Sequence, residues 1–255
     1  MPIQIGYSRH GREKYNRQLF GAASIQGRRE AQEDDYLVVH ASHGGRPSLL
    51  AVCDGMGGGE AGQLAAATAV NALAEKANEI KQARQDKTPA VLVKAVKHAQ
   101  QKILDEFNAL SRLASFRIRG GTTVVTAAIK KGGVHILHAG DSRAYLIAKG
   151  RALQLTVDHA LKDAPNVLTN HLGSSVAPVL LPQSGVKLKH GDALVLCTDG
   201  VWNKASAEEI AAMVDSARSA QDAAERIIRL VQSRKPGDNA TAVVYFHRIK
   251  PKPRK

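Results

Sequence analysis

Leu49-Leu50-Ala51-Val52-Cys53-Asp54-Gly55-Met56-Gly57-Gly58 runs from five apolar residues straight into an acid and a glycine cluster. An uninterrupted apolar run of this length, bounded by turn residues, reads as a buried strand. Asp54 then sits at its end. A carboxylate delivered there must be paired or ligated, because burying an isolated charge is strongly unfavourable. Upstream, Tyr36-Leu37-Val38-Val39 reads as another strand, joined to the first by a turn through Gly44-Gly45-Arg46-Pro47. Downstream the period lengthens to that of helices. Leu64, Ala67, Val70, Leu73, Ala77 and Ile80 recur at three- and four-residue spacing. A second helix starts at Thr88, has Pro89 in its first turn and carries Leu92, Val96, Ala99, Ile103, Phe107 and Leu110.

From Thr122 to Thr156 the pattern is of strands again: Thr122 to Ile129, Val134 to His138, Arg143 to Ile147 and Ala152 to Leu155. Connectors as short as Lys131-Gly132-Gly133, Gly140-Asp141-Ser142 and Lys149-Gly150 predict that consecutive strands pair as antiparallel neighbours. Another strand is expected at Ala193 to Cys197, then helices from Ser206, where Glu209 completes a capping box, and from Ala220. The last strand is Ala240 to Phe246. Strands grouped apart from helices predict an antiparallel α+β layered fold rather than alternating βαβ units.

The 255 residues are 44% apolar and 23% charged, which fits one soluble domain and excludes disorder, collagen or coiled coil as its architecture. The longest charge-free windows, Ala61 to Ala74 and Ala164 to Val186, are too short or too rich in Asn, Ser and Pro to cross a bilayer. Met1-Pro2-Ile3-Gln4 lacks the layout of a secretory signal, and two cysteines make no disulfide scaffold, so the expected compartment is the cytoplasm. The net charge of +13 is concentrated at the ends. Residues 1–18, with Arg9, Arg12, Lys14 and Arg17 against Glu13, form a basic N-terminal segment; 19–248 are the expected catalytic domain; 249–255 are a basic Pro/Lys tail. Such termini serve solubility or dock to an acidic partner. With aromatics at 4%, a nucleic-acid partner is disfavoured.

Asp34, Asp54, Asp141, Asp199 and Asp238 each fall at a strand boundary, beside glycine or in a short turn. Singly, each is a turn residue. Jointly, aspartates without His or Cys companions form the donor set that hard cations such as Mg²⁺ or Mn²⁺ prefer, and two such ions sharing a carboxylate activate a water.

Gly27-Arg28-Arg29-Glu30-Ala31-Gln32-Glu33-Asp34, Val52-Cys53-Asp54-Gly55-Met56-Gly57-Gly58, Gly120-Gly121-Thr122-Thr123, Ala139-Gly140-Asp141-Ser142-Arg143, Leu155-Thr156-Val157-Asp158-His159, Thr198-Asp199-Gly200 and Gly237-Asp238-Asn239-Ala240-Thr241 resemble, in order, the motifs of the metal-dependent type 2C (PPM) protein serine/threonine phosphatases. The resemblance implies two antiparallel β-sheets in a sandwich flanked by helix pairs, four α-β-β-α layers, with a Mn²⁺ or Mg²⁺ pair at one edge. It implies that Asp54 bridges the ions, that the Gly55 carbonyl and, through water, Asp34 serve one ion, and that Asp199 and Asp238 hold the other. Asp141 matches the position for a third, weaker ion, and Arg29 the arginine that grips the substrate phosphate; Glu33 is placed outside the ligands. The implied activity is hydrolysis of phosphoserine and phosphothreonine in proteins, opposing a bacterial Ser/Thr kinase.

Two departures stand out. Met56 occupies the place of a histidine that many eukaryotic members use toward the leaving oxygen. The flap that usually follows the Asp158-His159 motif is deleted or reduced to a short loop, leaving a cleft that a partner could complete. The alternative from another class is a noncatalytic phosphatase-like module that binds phosphoprotein without turnover. Gly57-Gly58-Gly59-Glu60-Ala61-Gly62 also satisfies a dinucleotide-binding string, but no second parallel strand ending in an acid follows it. His135 and His138 lie at an odd offset on a strand and so point to opposite faces. His159 is expected to order its loop, Trp202 to pack with its N–H on one acceptor, and Cys53 and Cys197 to be free thiols on strands that could bring them near one another.

Overall fold

The computed structural model describes residues 4–5, 18–40, 47–131, 133–180 and 183–247. The basic side chains of residues 9–17, the turn at 44–46 and the tail lie outside them. The chain order begins β1 (Gln4–Ile5), β2 (Phe20–Ile25), β3 (Asp34–His40), β4 (Pro47–Met56), α1 (Glu60–Glu75), α2 (Ala77–Gln82) and α3 (Thr88–Ala114). It continues with β5 (Gly121–Thr122), β6 (Val124–Lys130), β7 (Gly133–Ala139), β8 (Arg143–Ala148), β9 (Arg151–Gln154), β10 (Ala160–Leu161), β11 (Ala164–Leu168), β12 (Gln183–Val186) and β13 (Ala193–Cys197). α4 (Asp199–Trp202), α5 (Ala207–Asp215), α6 (Ala220–Ser233) and β14 (Ala240–Phe246) complete it.

Side-chain alternation along the strands assigns the layers. On β4, Leu49, Ala51 and Cys53 pack with α1, α2 and α3, while Leu50 and Val52 face the other way. On β13, Leu194 and Leu196 meet that same inner core, and Val195 and Cys197 pack with α5 and α6. The result is two antiparallel sheets stacked face to face, ordered β1-β2-β14-β13-β8-β9 and β12-β7-β6-β4-β3, with β5 beside β4 and helices on both outer faces. The four-layer α+β architecture is therefore the observed one.

Several expectations change in detail. The two cysteines do not approach within one core: Cys53 and Cys197 belong to apolar clusters on opposite outer faces of the sandwich, each buried and free. Gly140-Asp141-Ser142 joins no antiparallel neighbours, because β7 lies in one sheet and β8 in the other. It is a corner. Gly140 turns it at φ 106°, and a Cβ there would lie 2.6 Å from Thr123 Cγ2, so a side chain would meet both a backbone and a packing obstacle. The helix expected over 64–80 breaks at Lys76 into α1 and α2. β2 has no apolar run to announce it; its small residues are matched to a close helix, where Gln221 of α6 accepts from Ala22 N and donates to Ala22 O. The Ser206–Glu209 capping box and β14 lie where the sequence places them.

Candidate active site

The inner faces of the sheets change character at one end of the sandwich. Phe20 and Ala22, Tyr36 and Val38, Leu50 and Val52, Leu194 and Leu196, and Val243 line the inter-sheet core. Two residues further along these strands, the period-two register puts Ser24, Asp34, Asp54, Thr198 and Thr241 on that same face. Asp34 and Asp54 stand opposite one another in the β3–β4 ladder.

Asp34 is buried, and its Oδ2 accepts hydrogen bonds from Thr198 Oγ1 at 2.9 Å and Thr241 Oγ1 at 2.7 Å, both from the facing sheet. Its Oδ1 has no hydrogen-bond partner. Burial, only partly countered by these hydroxyls, pushes its carboxyl group up to about 7, with Asp199 and Asp238 adding to the rise. Asp54 is raised well above the usual range, first by desolvation and then by Asp34, Asp199, Asp141 and Asp238. Asp199, at the start of α4, rises to about 6 from burial and from Asp141 and Asp238. Asp141 is raised by burial as well. Arg29 acts on Asp54, but burial and the neighbouring acids outweigh it.

Asp238 differs. Its Oδ2 accepts from Arg29 Nη2 at 2.6 Å, which holds the guanidinium more firmly charged. Asn239 braces the loop carrying Arg29: its Oδ1 accepts from Glu33 N at 2.8 Å, and its Nδ2 donates to Gln26 O and Ala31 O. The Asp141 corner is pinned by Trp202 Nε1, which donates to Asp141 O at 3.0 Å, while Arg143 lies over the indole ring and pairs with Asp158. His138 and His159 stack at 4.5 Å, and His159 Nδ1 accepts from Gly140 N, so His159 orders this corner. His135, turned to the other face, contacts Gln85.

Arg29, Glu33, Asp54, Gly55, Asp141, Asp199 and Asp238 line one cavity of about 480 Å³. Asp34 is not among its lining residues; it stands beside Asp54 on the neighbouring strand. Of the adjacent acids Glu33 and Asp34, Glu33 is thus the cavity residue, its Oε1 fixed by Gly59 N at 3.0 Å. Sequence reasoning placed Glu33 outside the ligands and gave no role to Thr198, Thr241 or Asn239. The expected short loop after His159 is a hairpin of β10 and β11, and its Asn166 and Leu168 line the cavity too.

The donors are all oxygen, which suits a hard divalent cation. Among the described residues no three acidic, imidazole or thiol side chains close tightly enough around one point to enclose an ion by themselves. Water would complete the shell, as Mg²⁺ ordinarily requires. An unpartnered buried carboxylate oxygen and an acid crowded by four others fit such an ion better than an empty polar cleft.

The model of the family described as protein phosphatase 2C matches residues 24–236. The chain belongs to the protein phosphatase 2C family. As a member it is a metal-dependent protein serine/threonine phosphatase. It is 29% identical over 240 residues to the serine/threonine phosphatase stp of Listeria welshimeri, covering 86% of this chain and 92% of the relative. The serine/threonine phosphatase of S. agalactiae superposes with a TM-score of 0.76 at 26% identity, covering 89% and 99% of the two chains. The catalytic domain of the phosphatase PstP, solved in complex with two manganese ions, superposes with a TM-score of 0.71 at 26% identity, covering 88% and 96%. Among the described residues no helix is long and apolar enough to cross a membrane.

Proposed function

We propose that this phosphatase 2C member uses Asp54 to bridge two Mn²⁺ or Mg²⁺ ions, with the Gly55 carbonyl on one side and Asp199 and Asp238 on the other. Asp141 is positioned for a third, weaker ion. The observation that supports this most is the state of Asp54: a desolvated carboxyl at a cavity wall, raised by burial and four neighbouring acids that outweigh the pull of Arg29. When bound, divalent cations lower the pKa of water toward neutrality and neutralise charge on phosphoryl oxygens. The chain's own part is orientation. Arg29 presents a planar fork of donors that fits two phosphate oxygens, and it is free to do so once a cation takes Asp238 from it. Asp34 is held by Thr198 and Thr241 and sets the position of Asp54 across the ladder. With Met56 at the mouth, no imidazole at that position protonates the leaving oxygen, so water in the cavity does so.

The substrate is a phosphoprotein of a Ser/Thr kinase, residues 19–248 form the catalytic domain, and the setting is the cytoplasm. A phosphothreonine-peptide assay tests this reading. Phosphate release with Mn²⁺ that stops on adding EDTA is expected; peptide binding without release would favour a noncatalytic module.

A further inference from the structure

A second cavity, of about 770 Å³, opens beside the first, and Gly57 and Gly58 line both, so the two are continuous across that turn. Its walls come from the start of α1 and the end of α3, with Leu64, Leu110 and Phe116 giving an apolar lining and Arg117 and Arg119 a basic rim. Glu60 is the one acid lining it among the described residues. Phe116 is 67% exposed and, with Leu64 and Leu110, makes the apolar lining contiguous rather than scattered. Neither Arg117 nor Arg119 forms an ion pair among the described residues.

The groove is built, not incidental. α3 ends at Ser115 in the left-handed region, which turns the chain back as residues 116–119, and Ile118 N donates to Ser111 Oγ at 2.9 Å to fix that return. The loop presses on the shared floor: a Cβ at Gly57, itself at φ 118°, would lie 2.6 Å from Gly120 Cα and 2.9 Å from Arg119 O.

We propose that this groove docks the substrate polypeptide next to its phosphorylated residue and selects segments that carry an apolar side chain together with acidic ones. The inference rests on the phosphatase reading above. A phosphoryl group in the first cavity fixes one point of the substrate, and an extended chain advances about 3.3 Å per residue, so a few residues carry it across the Gly57-Gly58 turn into the groove. There the apolar walls receive a side chain, and the two unpaired arginines attract carboxylates and disfavour lysine.

Two phosphothreonine peptides of equal length test this, one flanked on both sides by Leu and Asp, the other by Ser and Lys. Each is compared with p-nitrophenyl phosphate, which is too small to reach the groove. Wild-type protein with Mn²⁺ is expected to show the lower KM for the Leu/Asp peptide. The double variant Arg117→Glu, Arg119→Glu should raise that KM by about five- to tenfold and reverse the preference, with p-nitrophenyl phosphate turnover unchanged. Phe116→Ala should raise KM for the Leu/Asp peptide alone. Equal KM for both peptides in wild type and double variant overturns the groove while leaving the phosphatase intact. A wild-type protein inert toward p-nitrophenyl phosphate overturns both.

Discussion

Burial and four neighbouring acids penalise ionisation of Asp54 when no metal ion is bound, and this sets opposite expectations for activity and stability. Asp54→Asn should abolish Mn²⁺-dependent turnover yet raise the melting temperature of the metal-free protein at neutral pH, since an amide needs no proton taken up on folding, as the raised carboxyl does; each kcal/mol gained is worth about 2–4 °C at this chain length. A metal-free variant that melts lower than wild type contradicts that account. For Arg29→Ala, turnover should fall by about 10²–10³-fold with Mn²⁺ binding by calorimetry intact, and Lys should not restore it because it lacks the planar fork. At this scale the sequence was informative where an acid beside glycine ends an apolar run, as at Asp54 and Asp199. It could not order Glu33 against Asp34. That choice depends on the hydroxyls of Thr198 and Thr241 reaching across from two segments more than 150 positions away, and no local pattern reports them.

Elements were legible in proportion to how much of their burial is local. β14 and the α5 cap have their signals within their own residues. β2 is buried throughout by a neighbouring sheet strand and by α6, so its small residues carry no alternation to read. The 140–142 connector was misread for a related reason: its length permits a hairpin, and only the stacking of two sheets makes it a corner. Gly140→Ala forces an L side chain into positive φ against Thr123, and it should destabilise the fold by about 1–3 kcal/mol. A lower urea midpoint at unchanged slope is the expected result; an unaltered midpoint would show that the corner tolerates a side chain.

Over the whole molecule, a sandwich with an apolar middle and an acidic end links stability to pH and to cations. Asp34 at about 7 and Asp199 at about 6, both raised from 3.8, hold protons in the folded protein that the unfolded chain has already released. Their contribution therefore favours folding at low pH and is lost as pH rises from about 4 to about 7. In EDTA the melting temperature should fall between pH 5 and 7.5; with Mn²⁺ it should rise, because protons no longer compete for the same oxygens. A metal-free protein that becomes more stable across that interval contradicts the shifts. The overall layering was readable from grouped strands and helices and the acidic end from five aspartates at strand boundaries, but which of them face the cavity depends on distant segments meeting. Anomalous scattering from Mn²⁺-soaked crystals tests that convergence most directly. The account predicts two strong peaks in the cavity, one ligand shared at Asp54, with Asp199 and Asp238 on one ion and Arg29 released from Asp238. No peak there, with Arg29 still seated on Asp238, would contradict it.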